Sequence, residues 1–277
     1  MMEKVFACIF AAFATVLCFG EVQEASEALL NITYLGDPIP QKWLARIEPM
    51  LKYEQEFYTN LGLDENFSVT IHAFRDREQG YEEMGKTAGE YGWVSQSGIK
   101  TAGVFYPSLN LIALFGLDRE MEYMIGLVAH EVSHSFFHQT FRNRKMVPMW
   151  LNEGLAEYFQ HCSVNRKGIV SHYMSGADKG RLRTKYMLGE VDLRTFLDYS
   201  RSDFMRMEHL DDMSAYRLSY ALIAFFVERT PSDCFPAVFM RLKDLRANES
   251  PSCAIDAIYP GGMKALENDF RTFVFDR

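Results

Sequence analysis

The residues best suited to chemistry are two histidines and a glutamate in the stretch AHEVSHSFFH, residues 129 to 138. His130 and His134 are four residues apart, so on a helix their imidazoles lie one above the other and can converge on one metal ion. Glu131 lies about 100° around the helix, where it can reach a water on that metal without binding the metal itself. The alternative for so short a pattern is a pair of core histidines bonded to backbone carbonyls.

A catalytic zinc site needs a third protein ligand and an open position for water. Glu153, in WLNEGLAEYF, supplies a carboxylate. Eighteen residues separate it from the second histidine. That length lets one helix end, the segment RNRKMVP turn the chain, and a second helix bring the carboxylate alongside. We therefore predict that His130, His134 and Glu153 bind one Zn²⁺ per chain and that Glu131 is the general base.

Two other assignments of the motif fail on the residues present. The metzincin pattern H-E-x-x-H-x-x-G-x-x-H would require glycine and histidine where this chain has Phe137 and Thr140. His138 lies two turns beyond His130, too far along a helix to share its metal ion.

The elements that must position these residues are helices. From about Arg119, apolar residues surround much of the segment REMEYMIGLVAHEVSHSFFHQTF, as is typical of a buried helix. Imidazoles and a carboxylate in such a helix need hydrogen bonds or a metal to offset their desolvation. Further helices are predicted from Met149, after Pro148, and over Tyr216–Val227 and Ala237–Leu245.

The N-terminal part of the chain is mixed. Residues 40–63 have helical spacing of apolar residues, although Pro49 is expected to kink or split the helix. Residues 67–74, FSVTIHAF, are rich in β-formers. AGVFYPSLNLIALFG, residues 102–116, predicts two strands joined by a turn at Pro107–Asn110. The fold class predicted is α+β, with a mixed subregion over 21–118 and a helical subregion over 119–277 within one domain.

The two motifs together resemble the gluzincin metallopeptidases. H-E-x-x-H followed after eighteen residues by the glutamate of WLNEG is the spacing of the aminopeptidase N family and of the smaller bacterial peptidase MA-like proteins. The chain length favours the latter. Motif similarity covers about residues 121 to 160, with a looser match over AYRLSYALIAFF, residues 215 to 226.

The resemblance implies the same zinc ligands and general base, and it suggests roles for four further residues. Asn152 and Glu157 occupy positions where gluzincins often place groups that orient the histidines; they could equally be a helix-cap neighbour and an exposed acid. Tyr216 resembles the tyrosine that stabilises the oxyanion in the aminopeptidase N family. Tyr220 is one turn later on nearly the same face, and either tyrosine could instead be a core aromatic.

The resemblance also has a gap that bears on the substrate. No G-x-M-E-N stretch precedes His130, so exopeptidase activity is not supported. The hairpin could pair with an extended peptide by β-augmentation. We therefore predict an endopeptidase acting on a peptide or protein substrate. The alternatives are an exported zinc-binding protein without turnover and a zinc hydrolase of a non-peptide bond.

Composition and the N-terminal residues limit the possible partners and indicate the cellular location. The chain has 277 residues and a net charge of −8, which argues against nucleic acid or anionic lipid as a general partner. Lys4 precedes an apolar run over residues 5–20, predicted to be a signal peptide, which implies a secreted or periplasmic protein. The alternative is an uncleaved membrane anchor. Cys162, Cys234 and Cys253 would remain after cleavage, and a Cys234–Cys253 bridge is one option.

Overall fold

A four-stranded mixed sheet opens the described part of the fold. The structure, a computed structural model, describes residues 31–63, 67–88, 101–141, 148–210, 215–246 and 248–276. The strands are β1 (Asn31–Gly36), β2 (Ser68–Phe74), β3 (Gly103–Tyr106) and β4 (Leu111–Phe115). Their order is β1-β2-β4-β3, with β1, β2 and β4 parallel and β3 antiparallel to β4. A separate hairpin pairs β5 (Cys162–Val164) with β6 (Val170–His172).

Helices make up most of the described chain after the sheet. Two helices accompany the sheet itself, α1 (Gln41–Asn60) and α2 (Arg77–Ala88). The rest are α3 (Met121–Thr140), α4 (Met149–Gln160), α5 (Gly176–Met187), α6 (Leu193–Leu197), α7 (Arg201–Leu210), α8 (Ala215–Arg229), α9 (Cys234–Lys243), α10 (Pro251–Ile258) and α11 (Gly262–Phe275). The predicted α+β class, with a mixed sheet before a mainly helical region, is confirmed.

The hairpin predicted over residues 102–116 is confirmed as β3 and β4, with Val104 opposite Ala113. Its turn occupies Pro107–Asn110, as expected. Asn110 has a φ of 46°, a left-handed conformation that asparagine adopts more readily than most residues. The hairpin places β3 at one edge of the sheet, against α3.

Helix α1 runs unbroken through Pro49, so the predicted split does not occur. Proline in a helix interior removes a hydrogen bond and typically costs about 3 kcal/mol. Trp43, Ile47 and Leu51, at helical spacing, are all buried in the main core. Burial of that face on both sides of Pro49 offsets the loss, because each large apolar side chain contributes about 1.5–3 kcal/mol.

Helix α3 is buried on most of its circumference, as its sequence predicts. It packs against α1, α4 and the edge strand β3. The Tyr58 hydroxyl of α1 shares a 2.8 Å hydrogen bond with Ser133 Oγ, between the two histidines in sequence. Ser133, a fully buried polar residue of this helix, therefore has a defined partner on α1.

The cysteines carry no disulfide among the described residues. Cys162 and Cys234 are buried and Cys253 is exposed, and each is free. The Cys234–Cys253 bridge considered from the sequence is therefore not formed. The predicted signal peptide lies outside the described residues. Within the described ranges, no helix is both long and apolar enough to cross a membrane.

Glu54 of α1 is a buried acid without a partner. It is 0% exposed, and neither carboxylate oxygen makes a hydrogen bond within the described structure. Burial raises its pKa well above the usual 4.5. Its titratable neighbours are Tyr58 and Cys162, whose pKa values are raised by their own burial and, to a lesser degree, by Glu54. Burial therefore favours the protonated form of Glu54 over its carboxylate.

Replacing Glu54 by methionine is expected to stabilise the protein by about 1–3 kcal/mol at pH 8 and by less at pH 5. Between pH 4.5 and the raised folded pKa, the folded state binds one more proton than the unfolded state. Wild-type stability consequently falls as pH rises, with a limit of about 1.4 kcal/mol per pH unit, whereas the variant lacks this dependence. Urea unfolding at the two pH values measures the difference. Glu56→Met, at an exposed position of the same helix, is the control. If Glu54→Met and Glu56→Met changed the free energy of unfolding equally at both pH values, burial of Glu54 would not be the cause.

Candidate metal centre

The two histidines of α3 face each other at a distance suited to a shared cation. Their side chains are partly buried, and His130 Nε2 lies 3.1 Å from His134 Nε2. The rings are nearly perpendicular, with an interplanar angle of 86° and centroids 4.8 Å apart. The i, i+4 spacing on α3 is what places both nitrogens on the same side of the helix.

Helix α4 supplies the carboxylate. Glu153 is 8% exposed, and its Oε2 lies 3.5 Å from His134 Nε2. One ligand atom from each of His130, His134 and Glu153 falls within 4.8 Å of the others. The structure thus brings together the three residues predicted to bind metal, as a His-His-Glu group that could hold an ion.

Two glycines allow the helices around this group to approach closely. A Cβ at Gly126 of α3 would lie 2.7 Å from the Gln160 carbonyl oxygen of α4. A Cβ at Gly154, next to Glu153, would lie 2.7 Å from the Ser219 carbonyl oxygen of α8. Neither distance is tolerated by a real side chain. Glycine at both positions therefore allows α4 to pack this closely against α3 and α8.

The donor set fits zinc. Two imidazole nitrogens bound to one tetrahedral zinc ion at about 2.0–2.1 Å would lie about 3.3 Å apart, close to the 3.1 Å found here. Neither ring bonds to a backbone carbonyl within the described structure, so the core-histidine alternative lacks the contacts it requires. Two nitrogens and a carboxylate oxygen also leave room for a fourth ligand.

Two residues of α4 contact the histidines from behind. Asn152 Oδ1 lies 3.1 Å from His134 Nδ1, so it can accept a hydrogen bond from Nδ1–H, which leaves the Nε2 lone pair available for a metal ion. Glu157 Oε1 is 3.7 Å from His130 Nδ1, which is buried and makes no hydrogen bond within the described structure. Asn152 and Glu157 thus contact the histidine pair, rather than serving only as a cap neighbour and an exposed acid.

The protonation of the pair depends on these surroundings. Burial lowers the pKa of His130 well below its ordinary value, and the neighbouring His134 lowers it further. Burial also acts to lower the pKa of His134, but Glu153, Glu131, the Asn152 hydrogen bond and Glu157 together outweigh it, so the net shift is upward. Burial therefore favours the neutral form of His130, the form in which histidine binds a metal.

Glu131 lies beside the group without belonging to it. Its side chain is buried, at 6% exposure, and burial raises its pKa to about 7, with a smaller contribution from Glu153. A backbone hydrogen bond from Phe105 of β3 acts in the opposite direction. A Cβ at Gly103 would come within 3.0 Å of Glu131 Cγ and Oε1, so the edge strand packs directly against this carboxylate.

The two candidate tyrosines have different environments. Tyr216 is half-buried on α8, packs edge-on against Phe204 at 5.4 Å, and lines a cavity that also includes Glu157. Tyr220 is buried, and its hydroxyl lies 2.9 Å from His172 Nε2. His138 lies near the Phe105 ring, at 6.0 Å, and is not part of the His-His-Glu group, as predicted.

Sequence reasoning missed one polar cluster next to this centre. His172 of β6 contacts Tyr220 through Nε2 and hydrogen-bonds the Glu228 carboxylate through Nδ1. Tyr220 and Glu228 lie 48 and 56 positions from His172, so no spacing rule links them. A buried histidine with partners on both nitrogens can only be found once β6 and α8 are placed together.

The resemblance to gluzincins is carried by the site itself. No protein-family model, no curated protein and no solved structure matches the chain. The features that support the resemblance are two histidines four apart and a glutamate nineteen positions after the second.

Proposed function

We propose that this protein is a zinc-dependent peptidase of the gluzincin type. The observation that carries the proposal is the placement of Glu131. It lies buried beside His130, His134 and Glu153, yet it is not one of the three groups that converge on the candidate ion position. A structural zinc site has four protein ligands and needs no such neighbour, whereas a hydrolytic site has three and a base.

The chain's own residues divide the work of hydrolysis. Zinc held by the three ligands would lower the pKa of water and polarise a substrate carbonyl. Glu131 accepts the proton of the attacking water and then delivers it to the nitrogen of the leaving amine. Burial favours the protonated form of Glu131 once it has taken the proton, and the positive charge of a bound zinc would oppose this effect and favour release of the proton. Asn152 and Glu157 keep the imidazoles in orientation.

An extended polypeptide can approach along β3. This strand is an edge of the four-stranded sheet, and its residues Gly103 and Phe105 adjoin Glu131. Main-chain pairing with a sheet edge gives affinity for any extended sequence. A bond anywhere within a chain could be presented in this way, which favours an endopeptidase.

We also propose that the protein is exported through its N-terminal apolar segment.

Tyr216 is the better candidate for stabilising the oxyanion. The Tyr220 hydroxyl lies 2.9 Å from His172 Nε2, and although both tyrosines line the cavity that includes Glu157, Tyr216 is the one whose position resembles that of the gluzincin oxyanion donor. Tyr216→Phe is expected to lower kcat about 100-fold with zinc content unchanged, because loss of one oxyanion donor costs about 10²–10³ in kcat. Tyr220→Phe should lower kcat less than tenfold. Peptide cleavage rates of the two variants decide between them, and the reverse ranking would transfer the role to Tyr220.

The function itself is tested with a mixed peptide pool and mass spectrometry. Zinc-loaded protein is expected to cleave internal bonds of some peptides, to lose activity with a chelator, and to regain it with added zinc. Simple esters and amides are assayed in parallel. Ester hydrolysis without peptide cleavage would indicate a hydrolase of non-peptide bonds. Tight zinc binding with no turnover of any substrate would indicate a binding protein and overturn the proposal.

A further inference from the structure

A cavity of about 510 Å³ lies between α4, α5 and α8, next to the His-His-Glu group. Glu157 joins the two, since it lines the cavity and also lies 3.7 Å from His130 Nδ1. Every lining residue carries a polar atom: Glu157, Gln160, His161, Asp178, Tyr216, Arg217 and Tyr220. A space of this size holds a substrate side chain, and its lining suits a polar or charged one rather than an aliphatic one.

One wall of the cavity is fixed by the polar cluster behind it. The hydroxyl of Tyr220 is held by His172, which Glu228 holds in turn. His172 is itself stacked on Tyr158 at 4.2 Å, and its side chain is 3% exposed. On the cavity side, the His161 ring stacks on Tyr220 at 4.5 Å. The wall is therefore preorganised, which lowers the cost of ordering a site when a ligand binds.

The charges of the lining favour a cation. Glu157 and Asp178 oppose the single guanidinium of Arg217, which leaves one net negative charge with histidine counted as neutral. Asp178 Oδ2 accepts a hydrogen bond from the Ser175 hydroxyl, and this leaves its other oxygen for a ligand. The half-buried ring of Tyr216 adds an aromatic surface, which attracts cations rather than anions.

We propose that this cavity binds a lysine or arginine side chain of the substrate, with Asp178 as its charge partner. The inference rests on the proposed peptidase function for its biological meaning, because it assigns the cavity to the same site. Peptides with a basic residue near the cleaved bond would then be preferred over peptides with an aliphatic residue of equal length.

Binding tests the cavity independently of turnover. Nα-acetyl-lysine methylamide and its norleucine and glutamate analogues are titrated into zinc-loaded, ¹⁵N-labelled full chain at low salt, and chemical shifts give the affinities. Wild type is expected to bind the lysine analogue at least about fivefold more tightly than the norleucine analogue. Asp178→Asn should reduce this preference below twofold. That change removes the charge but keeps an acceptor at the start of α5, where Asp178 pairs with Ser175.

Asp192→Asn is the control, since Asp192 is likewise an acid at the start of a helix, that of α6, and does not line the cavity. It should retain the lysine preference. Equal binding of the three analogues, tighter binding of glutamate, or no measurable binding of the lysine analogue would each overturn the inference. Lysine preference lost only in Asp178→Asn would support it even if no peptide were cleaved, an outcome that counts against the proposed function alone.

Discussion

Glu153→Ala is expected to lose the bound zinc. Removing one of three protein ligands should weaken zinc binding more than the 10–100-fold cost of losing a residue that only orients a ligand. We expect a loss of at least about 100-fold. After zinc loading and desalting, wild type should retain one zinc per chain and the variant almost none.

The same change has a thermodynamic readout. Zinc at 100 times the wild-type dissociation constant stabilises the folded protein by about 2.7 kcal/mol, because it binds only that state. At the same zinc concentration, a variant with 100-fold weaker binding gains only about 0.4 kcal/mol. Differential scanning calorimetry with and without zinc measures both. Glu56→Ala, at an exposed site on α1, is the control and should respond like wild type.

Wild type that is well folded but retains no zinc would remove the basis for the metal centre. The 3.1 Å contact between His130 and His134 would then be a hydrogen bond within the core. Zinc retained equally by wild type and Glu153→Ala would instead show that a different third ligand completes the site.

Glu131→Gln is expected to abolish turnover and leave zinc in place. Glutamine has the shape of glutamate but cannot accept the proton of the attacking water, and general-base catalysis contributes about 10²–10⁴ in rate. We expect kcat for peptide cleavage to fall by about that factor. Stability should not fall. The substitution puts a neutral amide in place of a buried carboxyl group, whose pKa burial already raises to about 7.

Zinc content and thermal unfolding of Glu131→Gln are the controls. A variant that binds zinc, unfolds like wild type and cleaves nothing would place Glu131 in the reaction rather than in the fold. Turnover within about threefold of wild type would exclude Glu131 as the base. If wild-type protein cleaves nothing, the substitution has no activity to remove. That result would favour the alternative of a zinc-binding protein without turnover.

Much of the fold could be predicted because its signals are local. The apolar circumference of α3 and the β-rich run of β2 are properties of consecutive residues. The strand pair around Pro107–Asn110 combines β-formers with turn residues in one short segment. In contrast, β1 is mostly exposed and lacks the apolar alternation of a half-buried strand, so only its pairing with β2 defines it. The helix break predicted at Pro49 does not occur, because burial of α1 outweighs the hydrogen bond lost at the proline.

The pairing of His130 with His134 could be predicted from local spacing, because residues at i and i+4 on a helix lie on the same side wherever that helix lies. The length of the connection also predicted that Glu153 lies beside the two histidines, as the structure shows. Tertiary structure alone decided that Asn152 contacts His134, that Tyr220 is held by His172, and that a polar cavity adjoins the centre. These contacts join separate elements, and their geometry depends on how closely α4 seats against α3 and α8 at Gly126 and Gly154. A helix periodicity fixes which residues share a face; only packing fixes which faces meet.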